Sequence, residues 1–130
     1  MYIPEGFGTL FPYMVIENAG AFADFLKDTF NAQEMGRSIR KGRIANIRMK
    51  IGTSAFMVSE ASADNMKAMP ASYYVYVEDV DATFAKALAN GANRWFDPQD
   101  MPYQDRQAGI IDPFGNMWAI SHRLVQEGYD

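Results

Sequence analysis

The stretch YYVYVEDVDATFAKALANGANR, residues 73–94, decides the fold, because PYMVIENAGAFADFLKDTFNAQ, residues 12–33, obeys the same grammar. Each opens with an aromatic and β-branched run suited to a strand. Each then reaches an acidic-polar pair, Glu17-Asn18 or Glu78-Asp79. Asn and Asp are good helix N-caps because a short side-chain oxygen accepts from the free N–H groups of the first turn. Apolar residues follow at helical spacing: Phe22, Phe25 and Leu26 in the first copy, and Val80, Phe84, Ala87 and Leu88 in the second. The second helix is predicted to end at Asn90-Gly91, where glycine can take left-handed backbone, and the first near Phe30-Asn31.

Outward from the repeat, three strand-like pieces follow each helix. In the first half they are residues 35–39, 44–51 and 55–59, punctuated by Lys41-Gly42 and Gly52-Thr53. In the second they are 93–96, 108–111 and 116–121, with Pro98, Pro102 and the turn DPFG (112–115) between them. The unit is β-α-β-β-β, twice: an α+β chain with module 1 at about 9–60, a polar linker at 61–71, module 2 at about 72–122 and a tail at 123–130. One helix covers only one face of such a sheet, so the two uncovered faces are expected to curl around a cleft.

At 130 residues, 48% hydrophobic and 14% aromatic, the chain has the size of one domain and ample material for a core. A net charge of −4 argues against nucleic-acid binding, which rests on cations meeting phosphates. The basic run RSIRKGR (37–43) straddles a Lys-Gly turn and reads as a solvated hairpin tip. Without cysteine there are no disulfides, thiolate metal sites or cysteine nucleophiles. The N-terminal MYIPEGFGTLF lacks a signal-peptide pattern, and no apolar run approaches the roughly 18–20 residues of a membrane span. A cytoplasmic protein with neither nucleic-acid nor membrane partner is expected.

Tandem βαβββ modules, the second closed by DPFGNMWAIS (112–121), resemble the vicinal oxygen chelate superfamily of glyoxalase I, extradiol dioxygenases, and fosfomycin and bleomycin resistance proteins. Within it the chain is most similar to the PhnB-like branch, through IPEGFGTLFPYMVIENAGAFADFLKDTFNAQE, YVYVEDVDATFAKALANGA and DMPYQDRQAGIIDPFGNMWAISHR. The resemblance implies the glyoxalase/bleomycin resistance/extradiol dioxygenase fold, a curved mixed sheet around a cleft, and a homodimer, packed side by side or by exchange of modules.

It also implies a divalent metal held by His, Gln or Glu near the start of the first strand and on the last strand of each module. Those slots fall on Phe11 and Ser72, and on about Met57 and Ala119. Phenylalanine, methionine and alanine are not ligands for a hard or borderline cation, and serine is a poor one. No metal and no other cofactor is therefore expected. Asn46 and Arg48 stand where the branch often carries His and Glu, a further departure.

Strand alternation sorts the faces. If Ser72 faces the cleft, so do Tyr74 and Tyr76, while Tyr73, Val75 and Val77 pack beneath the helix. By the same parity Phe11, Tyr13 and Val15 face inward, as do Met117, Ala119 and Ser121, with Trp118 and Ile120 under the helix. In IANIRMKI (44–51), Ala45, Ile47, Met49 and Ile51 suit the helix side, leaving Asn46 and Arg48 toward the cleft. A buried Arg48 needs an anionic partner, from a ligand or from Glu60. In the lid-like loop DPQDMPYQDRQAG (97–109), Tyr103, Asp105 and Arg106 could close over a ligand, although the Asp-Arg pair reads first as a turn brace.

The candidate ligand contacts are thus Phe11, Tyr13, Asn46, Arg48, Met57, Ser72, Tyr74, Tyr76, Tyr103, Met117 and Ala119. An aromatic, methionine-lined face suits a planar or cationic small molecule. The alternative is a divergent lyase or dioxygenase with ligands such as Glu60, Asp112 or His122, or a metal-independent isomerase or lyase. There is no Gly-rich phosphate loop, H-E-x-x-H or G-x-S-x-G, and the parity of His122, the single histidine, is opposite to the cleft positions. The leading expectation is a metal-free member of the superfamily that binds or sequesters a small aromatic or planar molecule.

Overall fold

In the computed structural model, which describes residues 1–64 and 66–130, the chain divides into two units, Met1–Pro70 and Ala71–Asp130. Asn65, inside the predicted linker, lies outside the described residues. The first unit holds β1 (Tyr13–Ile16), α1 (Ala19–Phe30), β2 (Gln33–Arg40), β3 (Arg43–Ile51) and β4 (Ser54–Glu60). The second holds β5 (Ser72–Tyr76), α2 (Val80–Ala89), β6 (Asn93–Asp100), β7 (Asp105–Ile111) and β8 (Met117–Arg123). The βαβββ repeat is present twice.

Each unit is one four-stranded mixed sheet, ordered β1-β4-β3-β2 and β5-β8-β7-β6, in which the first pair is parallel and the others antiparallel. A parallel neighbour needs a long crossover. Here the helix and two further strands separate the first strand from the last, which closes beside it.

In the first unit α1 lies on β1, β3 and β4, and the core between them includes Phe22, Leu26, Ile47, Met49 and Val58, all fully buried. Asn18 caps α1 from left-handed backbone (φ 63°), its side chain accepting from the Ala21 N–H. Glu60 reaches the same helix start, accepting from the Asn18 and Ala19 N–H groups at 2.9 and 2.8 Å, where a carboxylate also meets the positive end of the helix dipole.

In the second unit Asp79 caps α2 and Gly91 follows its end at φ 99°, the backbone that favours glycine. Trp118 and Ile120 are buried, with the Trp118 ring 4.9 Å from that of Tyr73. Asp112 organises the turn that delivers β8. It accepts from the Phe114 and Asn116 N–H groups, from Asn116 Nδ2 and from Trp118 Nε1, at 2.8 to 3.0 Å.

Two sequence expectations are corrected. The predicted lid (97–109) is largely a hairpin: β6 runs on to Asp100 and β7 begins at Asp105, with Gln99 opposite Gln107 and Asp100 opposite Arg106. Asp105 and Arg106 are not a brace, because strand neighbours point to opposite faces. Arg106 pairs with Asp81 and Asp100, and Asp105 with Arg123. No helix among the described residues is long and apolar enough to cross a membrane.

Candidate functional site

The alternation of YYVY in β5 splits four residues between two faces. Tyr73 and Val75 lie in register with Trp118 and Ile120, beneath α2, while Tyr74 and Tyr76 lie in register with Ala119 and Ser121 on the opposite face. The rows continue across β7: Tyr74, Ala119 and Gly109 form one, and Tyr76, Ser121 and Gln107 the next. One step further, Arg123 stands opposite Asp105. The face away from α2 therefore carries two aromatic rings at one edge and a buried polar row beside them.

Tyr103, at the tip of the β6–β7 hairpin, and Tyr129, in the C-terminal tail, complete the site. With Tyr74 and Tyr76 they line a cavity of about 460 Å³. The Tyr74 and Tyr76 rings are 5.4 Å apart and tilted at 54°. The four rings are each about half exposed, so their faces remain available.

Beneath them Asp105 is fully buried. Its Oδ2 accepts from the phenols of Tyr74 and Tyr129, the latter at 2.6 Å, and its Oδ1 accepts from Arg123 Nη1 at 3.2 Å. Burial pushes the Asp105 carboxyl up, but the bonds from Tyr129, Tyr74 and Arg123 outweigh it and hold the group below the usual aspartate value. Burial, then the bond to Asp105, raises the Tyr74 phenol, and the Tyr129 phenol is raised chiefly by the same carboxylate. The cluster at neutral pH is thus one carboxylate surrounded by neutral phenols. Tyr103 donates to Gln107 Oε1 at 2.6 Å, and Gln107 Nε2 donates to Ser121 Oγ at 2.8 Å.

Of the predicted contacts, Tyr74, Tyr76 and Tyr103 come together here. Ser72, Met117 and Ala119 share the sheet face but do not line this cavity. In the first unit Tyr13, Met57 and Arg48 form one row across β1, β4 and β3, and Asn46 stands in the next row with Ser59, donating to its Oγ at 2.9 Å. Phe11 precedes β1, its ring 4.6 Å from that of Phe7. Arg48 donates to Ser38 Oγ and Asn46 Oδ1, both at 3.2 Å, and not to Glu60, which is spent on the start of α1.

The slots tied to a metal by resemblance hold Phe11 and Met57 in one unit and Ser72 and Ala119 in the other. The register sets Met57 beside Tyr13 and Ala119 beside Tyr74, two residues along from Phe11 and Ser72. This donor set does not fit a divalent cation. Among the described residues no group of three or more His, Asp and Glu converges. His122 is on the helix side, its Nδ1 3.0 Å from the Val77 carbonyl oxygen.

Sequence reasoning missed Gln107, Arg123 and Tyr129, and named Asp105 only as part of a lid or a brace with Arg106. Asp105, Gln107 and Arg123 follow strand parity once β7 is started at Asp105. Tyr129 lies in a tail with no periodic pattern, and no signal there announces it.

A model of the Glyoxalase/Bleomycin resistance protein/Dioxygenase superfamily matches residues 13–120. The uncharacterized protein Rv0887c of Mycobacterium tuberculosis is 26% identical, over 93% of this chain and 78% of its own. Among solved structures, TioX from Micromonospora sp. ML1 is similar with a TM-score of 0.69 and 24% identity, over 87% of this chain and 99% of its own. The PhnB protein from Bacillus cereus is similar with a TM-score of 0.68 and 16% identity, over 88% and 99%. These two likenesses speak to the fold.

Proposed function

Because the chain belongs to the Glyoxalase/Bleomycin resistance protein/Dioxygenase superfamily, whose scaffold serves many unrelated chemistries, we propose its function from the site: metal-independent binding, or sequestration, of a small planar aromatic molecule. The observation that carries this reading is the four-tyrosine cavity of the second unit. It is an open depression of about 460 Å³ whose four half-exposed rings offer their faces to a planar guest. Offset or tilted aromatic contacts add to simple burial, about 0.5–1.5 kcal/mol per ring pair.

Of the donors that the rival reading, a divergent metal-dependent lyase or dioxygenase, would require, Glu60 caps a helix and Asp112 accepts four hydrogen bonds in a turn, while His122 belongs to no converging group of three or more His, Asp and Glu among the described residues. Titration calorimetry with a panel of planar aromatics is expected to find micromolar ligands. Tyr74→Ala and Tyr76→Ala should each weaken them by about three- to tenfold. Affinities insensitive to both substitutions would remove the cavity as the site. Elemental analysis of protein purified without chelator should find divalent metal well below one equivalent, and a stoichiometric metal would restore the rival.

A further inference from the structure

Tyr129 differs from the other three tyrosines of the cavity in how it gets there. Tyr74 and Tyr76 stand on β5 and Tyr103 on a hairpin tip braced by Gln107, but Tyr129 arrives on the tail beyond β8. Beyond Leu124, whose N–H donates to the Gln104 carbonyl oxygen, Arg123 holds the backbone of the tail. Arg123 donates to the Glu127 and Gly128 carbonyl oxygens at 3.0 and 2.8 Å, and its guanidinium lies 4.2 Å from the centre of the Tyr129 ring. The phenol then reaches past the cavity wall to Asp105 Oδ2 and meets the Tyr76 hydroxyl on the way.

Asp105 constrains what can sit there. Its carboxylate is fully buried and, when ionised, only accepts. A guest that pushes Tyr129 aside without offering a donor leaves that carboxylate one hydrogen bond short, a penalty that falls on binding. A guest with its own hydroxyl restores the bond. The same logic lets a site built to bond a hydroxyl reject its methyl ether far more strongly than a purely apolar pocket would.

We propose that the ligand is a planar aromatic bearing a phenolic or similar hydroxyl, which displaces Tyr129 of the tail from Asp105 Oδ2, so that the tail is a built-in occupant of the acceptor site. This rests on the reading of the cavity as an aromatic-binding site and adds the chemistry by which it selects.

The test uses 2-naphthol and 2-methoxynaphthalene as probes, titrated at neutral pH into the native chain, into a chain ending at Gly128 and into Asp105→Asn, with circular dichroism confirming each fold. The native protein should bind the naphthol more tightly. Both affinities should rise several-fold in the shortened chain, where the competitor is gone and the Arg123 bonds to the Glu127 and Gly128 carbonyls remain, and the ratio of the two should stay above one. That ratio should approach one in Asp105→Asn, which exchanges the carboxylate for an amide. Equal binding of both probes by the native and shortened chains overturns the proposal and leaves the aromatic site standing. Binding of neither probe by any folded form overturns both. The shortened chain decides the matter even if Asp105→Asn does not fold.

Discussion

Asp105 is the residue on which the second unit's polar row depends. Its carboxylate is buried, with Arg123 as its one ionic partner among the described residues, and removing one member of a buried pair strands the other. Asp105→Ala is expected to cost about 3 kcal/mol in urea unfolding; a loss of a few tenths would mean that the network does not need its centre. The pH dependence has a definite sign. The folded-state value lies below the ordinary aspartate value of about 4, so the contribution is complete above that value and is lost as pH falls through it toward the depressed one. Native protein should therefore lose more stability between pH 6 and pH 3 than Asp105→Asn does. Parallel curves would place the carboxyl at its unfolded value in the folded state. In the sequence this residue reads as half of a brace with Arg106, because adjacency is visible and face is not. Only the start of β7 separates the two, and that start is a matter of pairing with β6.

At the scale of elements, the helices and their caps were legible because they rest on local chemistry: Asn18 and Asp79 accept from the first turn, as expected of their side chains. The β6–β7 hairpin was not, since Pro98 interrupts the pattern of β6. An edge strand tolerates proline because one side of its backbone has no ladder to serve, and β6 is the edge of its sheet. The hairpin also depends on a small residue that no pattern singles out. A methyl group on Gly109 would lie 2.6 Å from Phe96 Cδ2 and 2.8 Å from Trp95 Cε3, closer than carbon atoms pack. Gly109→Ala is expected to destabilise the chain by about 2 kcal/mol through overpacking, measured by thermal unfolding. Adding Phe96→Ala should recover part of that loss, because the two sites share one contact. Strictly additive effects would show that the ring does not set the cost.

For the whole molecule, the repeat was legible because each copy writes its strand, cap and helix in one contiguous stretch. Where the tyrosine cavity lies was legible only in part. Parity puts Tyr74 and Tyr76 on the face away from α2, but the docking of the tail through backbone carbonyls held by Arg123 has no residue pattern to announce it. Assembly is another property that local patterns do not encode. The surface carries large apolar side chains with substantial exposure, among them Tyr13 on β1, Ile39 on β2 and Trp95 on β6. Apolar side chains exposed singly are ordinary on a monomer, so the expectation of a dimer rests on the family resemblance and these residues only mark places to test it. We propose that the chain is a homodimer, and light scattering at micromolar concentration should return twice the mass of 14.6 kDa. Replacing one of these residues by a charge then distinguishes the surfaces. Trp95→Lys or Ile39→Lys should convert the dimer to monomer if its side chain lies in the interface, since a lysine there must be desolvated without a partner. A monomer in the native protein at that concentration overturns the assembly outright, and it leaves the tyrosine cavity, built from one unit alone, untouched.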